Sequence, residues 1–222
     1  MKNKKQITVL FDLDGTLIDS TEAILASFYA AFKKQNFKYS KTDQEITKLI
    51  GYPLDYMFEE LGVSKDKVWE FVDSYKENYK KVSQEQTVLL KNAKEAVELA
   101  SNFATLGVVT TKTTLYSIPL LKNFQIWNYF NTIIGRQEVS NPKPHPEPIF
   151  RACEALKITP NRDVFIIGDT KLDLIAANKA NISSVGVLCG YGKREELSTF
   201  SPHICSDSLD AVKLIKRLYF KA

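Results

Sequence analysis

The stretch VLFDLDGTLIDS, residues 9–20, decides how the chain is read. It completes an apolar run, Ile7–Phe11, that stops abruptly at Asp12. Asp14 follows after a single Leu13, and then come Gly15 and Thr16. A run that is apolar at every position predicts a strand buried on both faces, as in a parallel sheet. The two aspartates then hang at the strand's carboxyl end, where open α/β sheets bind ligands. Asp-Gly is also an ordinary turn dipeptide, so this stretch alone has a plainer reading as a strand running into a turn. An EF-hand loop is excluded, because Gly15 falls at its fourth position rather than its sixth and Ala23 stands where the Glu is required.

Outward from this stretch, further β-type runs occur at Ala104–Val109, Thr132–Ile134, 164–167 and 184–188. Helical patterns separate or follow them at 91–101, 115–124, 149–156, 172–180 and 209–219. Such alternation predicts a doubly wound, Rossmann-like α/β core. Between the first strand and about residue 82 no strand pattern appears. Helices are predicted there at 22–34, 42–50, 54–61 and 65–81. In the last of these, Val68, Val72, Tyr75 and Tyr79 form one apolar stripe. The expected organisation is a core of residues 1–16 and 83–222, with residues 17–82 inserted as a helical lobe.

Composition bounds the rest. With 222 residues and 44% hydrophobic content the chain can bury a sizeable core. The net charge of +4 arises from 30 Lys+Arg against 26 Asp+Glu, a mixed surface. The only basic cluster is short (Lys2, Lys4, Lys5), so a nucleic-acid partner is not expected. Cys153, Cys189 and Cys205 are odd in number and far apart, which argues against a zinc site or a disulfide framework. The N-terminal apolar run ends at Asp12, too short for a signal segment, and no stretch suits a membrane span. The expectation is a cytoplasmic protein.

The residues beyond each strand form a set. They are Asp12, Asp14 and Thr16 after the first, Thr110, Thr111 and Lys112 after the second, Lys143 in NPKPHPEP beyond the third, and Asp169, Thr170 and Asp173 after the fourth. Asp12, Asp14 and Asp169 at neighbouring strand ends would repel one another unless a cation were present. An oxygen-only donor set points to a hard divalent ion such as Mg2+. Lys143 and Thr110 suit an anion opposite it, and a carboxylate can attack phosphorus. Each feature also has a plainer reading. Asp169 would cap the helix starting near Thr170, Asp173 would favour that helix's first turn, and Lys143 would be a solvated loop lysine. GYG, residues 190–192, lacks the third glycine of a dinucleotide loop and carries little weight. His145 and His203 have no partner for nucleophilic catalysis and read as surface residues.

Taken together, these strand ends resemble the haloacid dehalogenase superfamily of phosphotransferases. DLDGT, Thr110, Lys143 and Gly168-Asp169-Thr170 with Asp173 match its four motifs in order. SSVGVLCGYG is similar to its last core strand and loop, and the inserted helices are similar to its small α-helical cap. The resemblance implies that Asp12 is the nucleophile and Asp14 the general acid/base. It implies Mg2+ ligation by Asp12, Asp169 and the Asp14 backbone carbonyl, with Asp173 in support. Thr110 and the next backbone amide would bind phosphate, Lys143 would neutralise it, and Thr16 would fix the loop. Where related enzymes read Thr-Asn-Lys, this chain reads Thr110-Thr111-Lys112, which leaves the phosphate-binding role of Thr111 open. Gly51 and Tyr52 lie in the implied specificity loop. Asp14 is absent from the dehalogenases, so phosphate chemistry is implied.

The nearest subgroup resembles phosphoglycolate phosphatase. The expected activity is Mg2+-dependent hydrolysis of a small phosphorylated metabolite. The alternatives are a mutase of the β-phosphoglucomutase type, an inorganic pyrophosphatase, or a binding protein that keeps the fold without the chemistry.

Overall fold

The computed structural model describes residues 7–40 and 42–220. The basic cluster Lys2, Lys4 and Lys5, and the outermost residues of the expected core, lie outside the described residues. In chain order the elements are β1 (Ile7–Phe11), β2 (Ile18–Asp19), α1 (Thr21–Lys34), α2 (Asp43–Thr47), α3 (Leu54–Glu60), α4 (Val68–Val82) and β3 (Val88–Leu89). There follow α5 (Ala93–Ser101), β4 (Ala104–Val109), α6 (Thr114–Asn123), β5 (Thr132–Ile134), α7 (Glu147–Ala155) and β6 (Val164–Gly168). The chain closes with α8 (Lys171–Lys179), β7 (Ser183–Val187), α9 (Arg194–Leu197), β8 (Ile204–Cys205) and α10 (Ser208–Phe220).

The main sheet runs β5-β4-β1-β6-β7-β8, and every pairing in it is parallel. β1 is central and wholly buried because helices cover both faces of the sheet, which is why its sequence is apolar throughout. One face buries Val9, Phe11 and Ile167 with Ala96 and Val97 of α5 and Val212 and Ile215 of α10. The other buries Leu10, Val109 and Ile166 with Ile149 and Ala152 of α7 and Ala176 of α8. The strand order reverses about β1, so β1, β4 and β6 deliver their carboxyl ends to one place.

α1 to α4 bury a cluster of their own. Its centre is a pile of rings: Phe28 lies 4.6 Å from Phe58 and 5.1 Å from Tyr75, and Phe58 lies 5.5 Å from Phe71. Such pairs contribute ~0.5–1.5 kcal/mol each beyond the area they bury. The stripe Val68, Val72, Tyr75 and Tyr79 is buried along its whole length on α4, as its spacing predicts.

Four features depart from expectation. Ile18–Asp19 is a strand within the segment expected to lack one, paired antiparallel with Val88–Leu89 at the exit from the helical block. β8 adds a sixth strand to the sheet at its edge. Both lie in two-residue strands, too short to display a period. The helix expected at 42–50 is only α2, since Gly51 turns the chain at φ +106° and Ile50 bridges to Tyr52. His203 is half-buried rather than surface, while His145 is exposed. Among the described residues, no helix is long and apolar enough to cross a membrane.

Candidate active site

The loop after β1 explains how two aspartates share one site. Leu13 is fully buried in the core, so its flanking residues Asp12 and Asp14 project to the other side of the extended backbone. The Leu13 carbonyl then accepts the N–H groups of Thr16, Leu17 and Ile18 (3.2, 2.9 and 3.0 Å), closing a tight turn. Gly15 adopts φ +77°, a conformation that favours glycine, and a Cβ there would lie 2.2 Å from Asp169 Oδ2.

Asp12 is 4% exposed and 2.9 Å from Lys143 Nζ. Lys143 is itself 2% exposed, and it also donates to Asp173 and to the Val109 carbonyl (3.0 Å). All three ammonium protons thus have acceptors, and the solvated-lysine reading is ruled out. Asp173 uses one oxygen for Lys143 and the other for Thr170, whose N–H and hydroxyl donate to it at 3.2 and 2.8 Å. The helix α8 is therefore capped by Thr170 and Asp173, not by Asp169. Asp169 is fully buried and accepts the Thr16 hydroxyl (3.1 Å) and the Tyr191 N–H (2.8 Å).

Asp12, Asp169 and Asp173 each present a carboxylate oxygen within 4.8 Å of the other two. Three buried carboxylates face one lysine, an excess of negative charge. Burial, reinforced by Asp173 and only partly offset by Lys143, pushes the Asp12 carboxyl up to about 7. Burial, then Asp12 and Asp173, push Asp169 well above the carboxylate range. Burial acts to lower the Lys143 pKa, but Asp12 and Asp173 outweigh it and raise it. An all-oxygen cluster that resists ionisation fits a hard divalent cation. The three carboxylates of Asp12, Asp169 and Asp173 together form a group that could hold such an ion.

Asp14 stands apart from that cluster and is half-buried. It has its own lysine: Lys112 Nζ lies 3.2 Å from Asp14 Oδ2, and the Ser20 hydroxyl donates to Oδ1. Lys112 also donates to the Tyr79 hydroxyl at 2.7 Å, with its ammonium 4.4 Å from the centre of that ring. Burial acts to lower the Lys112 pKa, but Asp14 and Tyr79 raise it overall. Thr110 is buried, and its hydroxyl accepts the Lys112 N–H at 3.1 Å, which shapes the turn after β4. Thr111 lines a cavity that opens beside Asp14 between the sheet ends and the helical block, as do Gly51 and Tyr52. Tyr52 stacks on Tyr56 at 4.9 Å.

Sequence reasoning missed several of these contacts. Lys112 was visible as a strand-end residue, but its partner Tyr79 read only as the end of an apolar stripe. GYG deserves more weight than its glycine count suggests. A Cβ at Gly190 would lie 2.2 Å from Asp169 Oδ2 and 2.4 Å from the Gly15 carbonyl, so only glycine fits. Tyr191 then anchors Asp169 through its N–H and meets Thr21, at the start of α1, through its hydroxyl (2.9 Å). The three cysteines are free thiols, and Cys189 donates to the Gly15 carbonyl at 3.4 Å.

A parallel sheet that gathers aspartates and a buried lysine at its central strand ends, beneath a helical insertion, defines a class of hydrolase. The chain belongs to the haloacid dehalogenase-like hydrolase family, which it matches over residues 9–187. It is 30% identical to the phosphoglycolate phosphatase of Salmonella typhi, over 91% of this chain and 89% of that one. It is 31% identical to the putative pyrophosphatase PpaX of Caldanaerobacter subterraneus subsp. tengcongensis, over 96% of each. Among solved structures it resembles a putative haloacid dehalogenase-like hydrolase from Bacteroides fragilis, with a TM-score of 0.87 and 27% identity over 93% of this chain and 100% of that one. The chain is an enzyme of the phosphatase type that these relatives represent.

Proposed function

We propose that this protein is a Mg2+-dependent phosphatase that hydrolyses a small phosphomonoester through an aspartyl-phosphate intermediate. The observation that carries this reading is the pairing of buried Asp12 with Lys143 at the end of β1, two residues from an Asp14 that faces the cavity. An Asp12 carboxylate oxygen attacks phosphorus, and the ester P–O bond breaks. Asp14 gives its proton to the leaving alkoxide oxygen. Water then attacks the same phosphorus while Asp14 takes a proton from it, the Asp12–phosphorus bond breaks, and inorganic phosphate leaves. Lys143 balances the charge of Asp12 and of the transferring group. Thr110, Thr111 and the Thr111 backbone amide contact the phosphoryl oxygens, and Thr16 holds Asp169 in place.

Asp12, Asp169 and the Asp14 backbone carbonyl would hold Mg2+, with Asp173 acting behind them through Lys143. When bound, Mg2+ neutralises charge on the phosphoryl oxygens and among the carboxylates. The helices of residues 17–82 act as a cap that encloses the substrate, with Gly51 and Tyr52 in the loop that selects it. The substrate is a soluble metabolite of the cytoplasm, neither nucleic acid nor membrane-bound. A second reading, hydrolysis of pyrophosphate at the same site, is favoured by the relative named as a pyrophosphatase.

The test is a phosphate-release screen over phosphomonoesters and pyrophosphate, with Mg2+ or with chelator. Turnover is expected only with Mg2+ and is abolished in Asp12→Asn. Undiminished turnover in that variant overturns the mechanism.

A further inference from the structure

The cavity beside Asp14 has a chemistry of its own. Its volume is ≈ 310 Å³, at the lower end of the ~300–1,000 Å³ typical of small-molecule sites. That space greatly exceeds a glycolate-sized leaving group. Its walls are mainly apolar and aromatic: Ile24, Ile50, Leu54, Met57, Tyr75 and Tyr116. The aromatic side is continuous, since Tyr75 stacks on Tyr79 at 5.5 Å and Tyr79 meets Tyr116 edge-on at 5.3 Å.

Three cations line the cavity, Lys112, Arg136 and Lys76. Lys112, the cation beside Asp14, is already engaged by that carboxylate and by the Tyr79 hydroxyl. Arg136 donates to the Val139 carbonyl at 3.1 Å. Arg136 and Lys76 remain partly solvated, alongside exposed Trp69 and Gln137. A substrate carboxylate or second phosphoryl group packed against Ile50, Met57 and Tyr75 would lose its hydration to apolar neighbours, which is costly for any charge. An uncharged ring there would lose little and would gain aromatic contacts.

We infer that the substrate is a phosphomonoester whose alcohol carries an uncharged, ring-bearing apolar group. Phosphoglycolate and pyrophosphate are then poor substrates. This inference rests on the phosphatase reading and deepens it. The scissile oxygen lies at Asp14, which protonates it as the P–O bond breaks, and the ring occupies the cavity between the sheet ends and α4.

The experiment compares kcat/KM for benzyl phosphate, ethyl phosphate, phosphoglycolate and pyrophosphate with Mg2+, in wild type, Asp12→Asn and Leu54→Arg. Benzyl and ethyl phosphate both release an alkoxide, so their ratio isolates the ring. Benzyl phosphate is expected to exceed ethyl phosphate and phosphoglycolate by about tenfold or more, the scale on which apolar pockets discriminate. Leu54 is half-buried at the start of α3 and lines the cavity, and its replacement by Arg is expected to lower the benzyl-to-phosphoglycolate ratio by about tenfold. As a readout independent of turnover, benzylphosphonate is expected to quench tryptophan fluorescence in wild type but not in Trp69→Phe. Phosphoglycolate or pyrophosphate equal to or better than benzyl phosphate, with loss in Asp12→Asn, overturns the inference and leaves the phosphatase reading standing. Turnover that survives Asp12→Asn, or no turnover of any of the four, overturns the phosphatase reading and the inference with it.

Discussion

Replacing Asp12 by Asn removes one of three buried carboxylates while keeping the shape of the side chain and an oxygen for Lys143. The folded protein holds the Asp12 carboxyl at about 7 instead of its ordinary 3.8, chiefly through burial and the nearby Asp173 charge. At ~1.4 kcal/mol per tenfold change in proton affinity, ionising Asp12 in the metal-free protein costs about 4 kcal/mol. The sign follows from linkage. Below about pH 4 the group is protonated in both folded and unfolded chains and contributes nothing. As pH rises from there to about 7, the unfolded chain ionises while the folded chain resists, so stability falls. Above about 7 the whole penalty is present.

Asp12→Asn removes this penalty and weakens one contact to Lys143, so a net gain of ~1–3 kcal/mol is expected in chelator at pH 8, or roughly 2–4 °C in Tm per kcal/mol for a chain of this size. The assay is thermal unfolding of both proteins at pH 5 and pH 8, in chelator and in Mg2+. The gain should shrink at pH 5. Mg2+ should raise the Tm of wild type more than that of the variant, because binding stabilises only the state that binds. A variant that is no more stable than wild type at pH 8 in chelator, or whose gain is independent of pH, refutes the charge-excess reasoning.

Three further outcomes are expected. Lys112 positions the Asp14 carboxylate through its ammonium, so Lys112→Met should lower kcat by about ten- to a hundredfold with Mg2+ affinity nearly unchanged, and Tyr79→Phe should lower it less; steady-state kinetics across a Mg2+ titration check this, and wild-type kcat in Lys112→Met refutes that positioning role. Gly190→Ala places a methyl group 2.2 Å from Asp169 Oδ2, so it should cost ~1–3 kcal/mol and weaken Mg2+ binding, as read by melts and by metal titration. Tyr52→Ala should change the ranking of substrates by kcat/KM more than the Mg2+ requirement, since Tyr52 lines the cavity and touches none of the carboxylates by hydrogen bond; a changed metal requirement with unchanged ranking counts against it.

The five strands expected from apolar runs all occur, because a strand covered on both faces must be apolar at each position and is legible for that reason. β2, β3 and β8 were not legible, because each has only two residues and owes its existence to a partner elsewhere in the chain. The site divides in the same way. Asp12, Asp169 and Lys143 could be collected from the residues just beyond the strands, since the parallel sheet sends those ends to one place. Lys112 passed the same filter but had no visible task, because its partner Tyr79 lies 33 residues away on α4. On α4 an apolar stripe hides a hydroxyl that matters. GYG failed as a motif because its glycines serve a close approach to Asp169 and Gly15, not a turn pattern of their own.

The sequence by itself determined the class of sheet, the residue types at its strand ends, and hence the kind of chemistry available. It could do so because periodicity and strand termini are local properties. The tertiary structure alone decided which cation serves which carboxylate: Lys143 for Asp12 and Asp173, Lys112 for Asp14. It alone also showed that the space beside Asp14 is walled by apolar and aromatic side chains. Those are contacts between distant segments, set by how the helical block packs over the sheet, and no spacing within either segment encodes them.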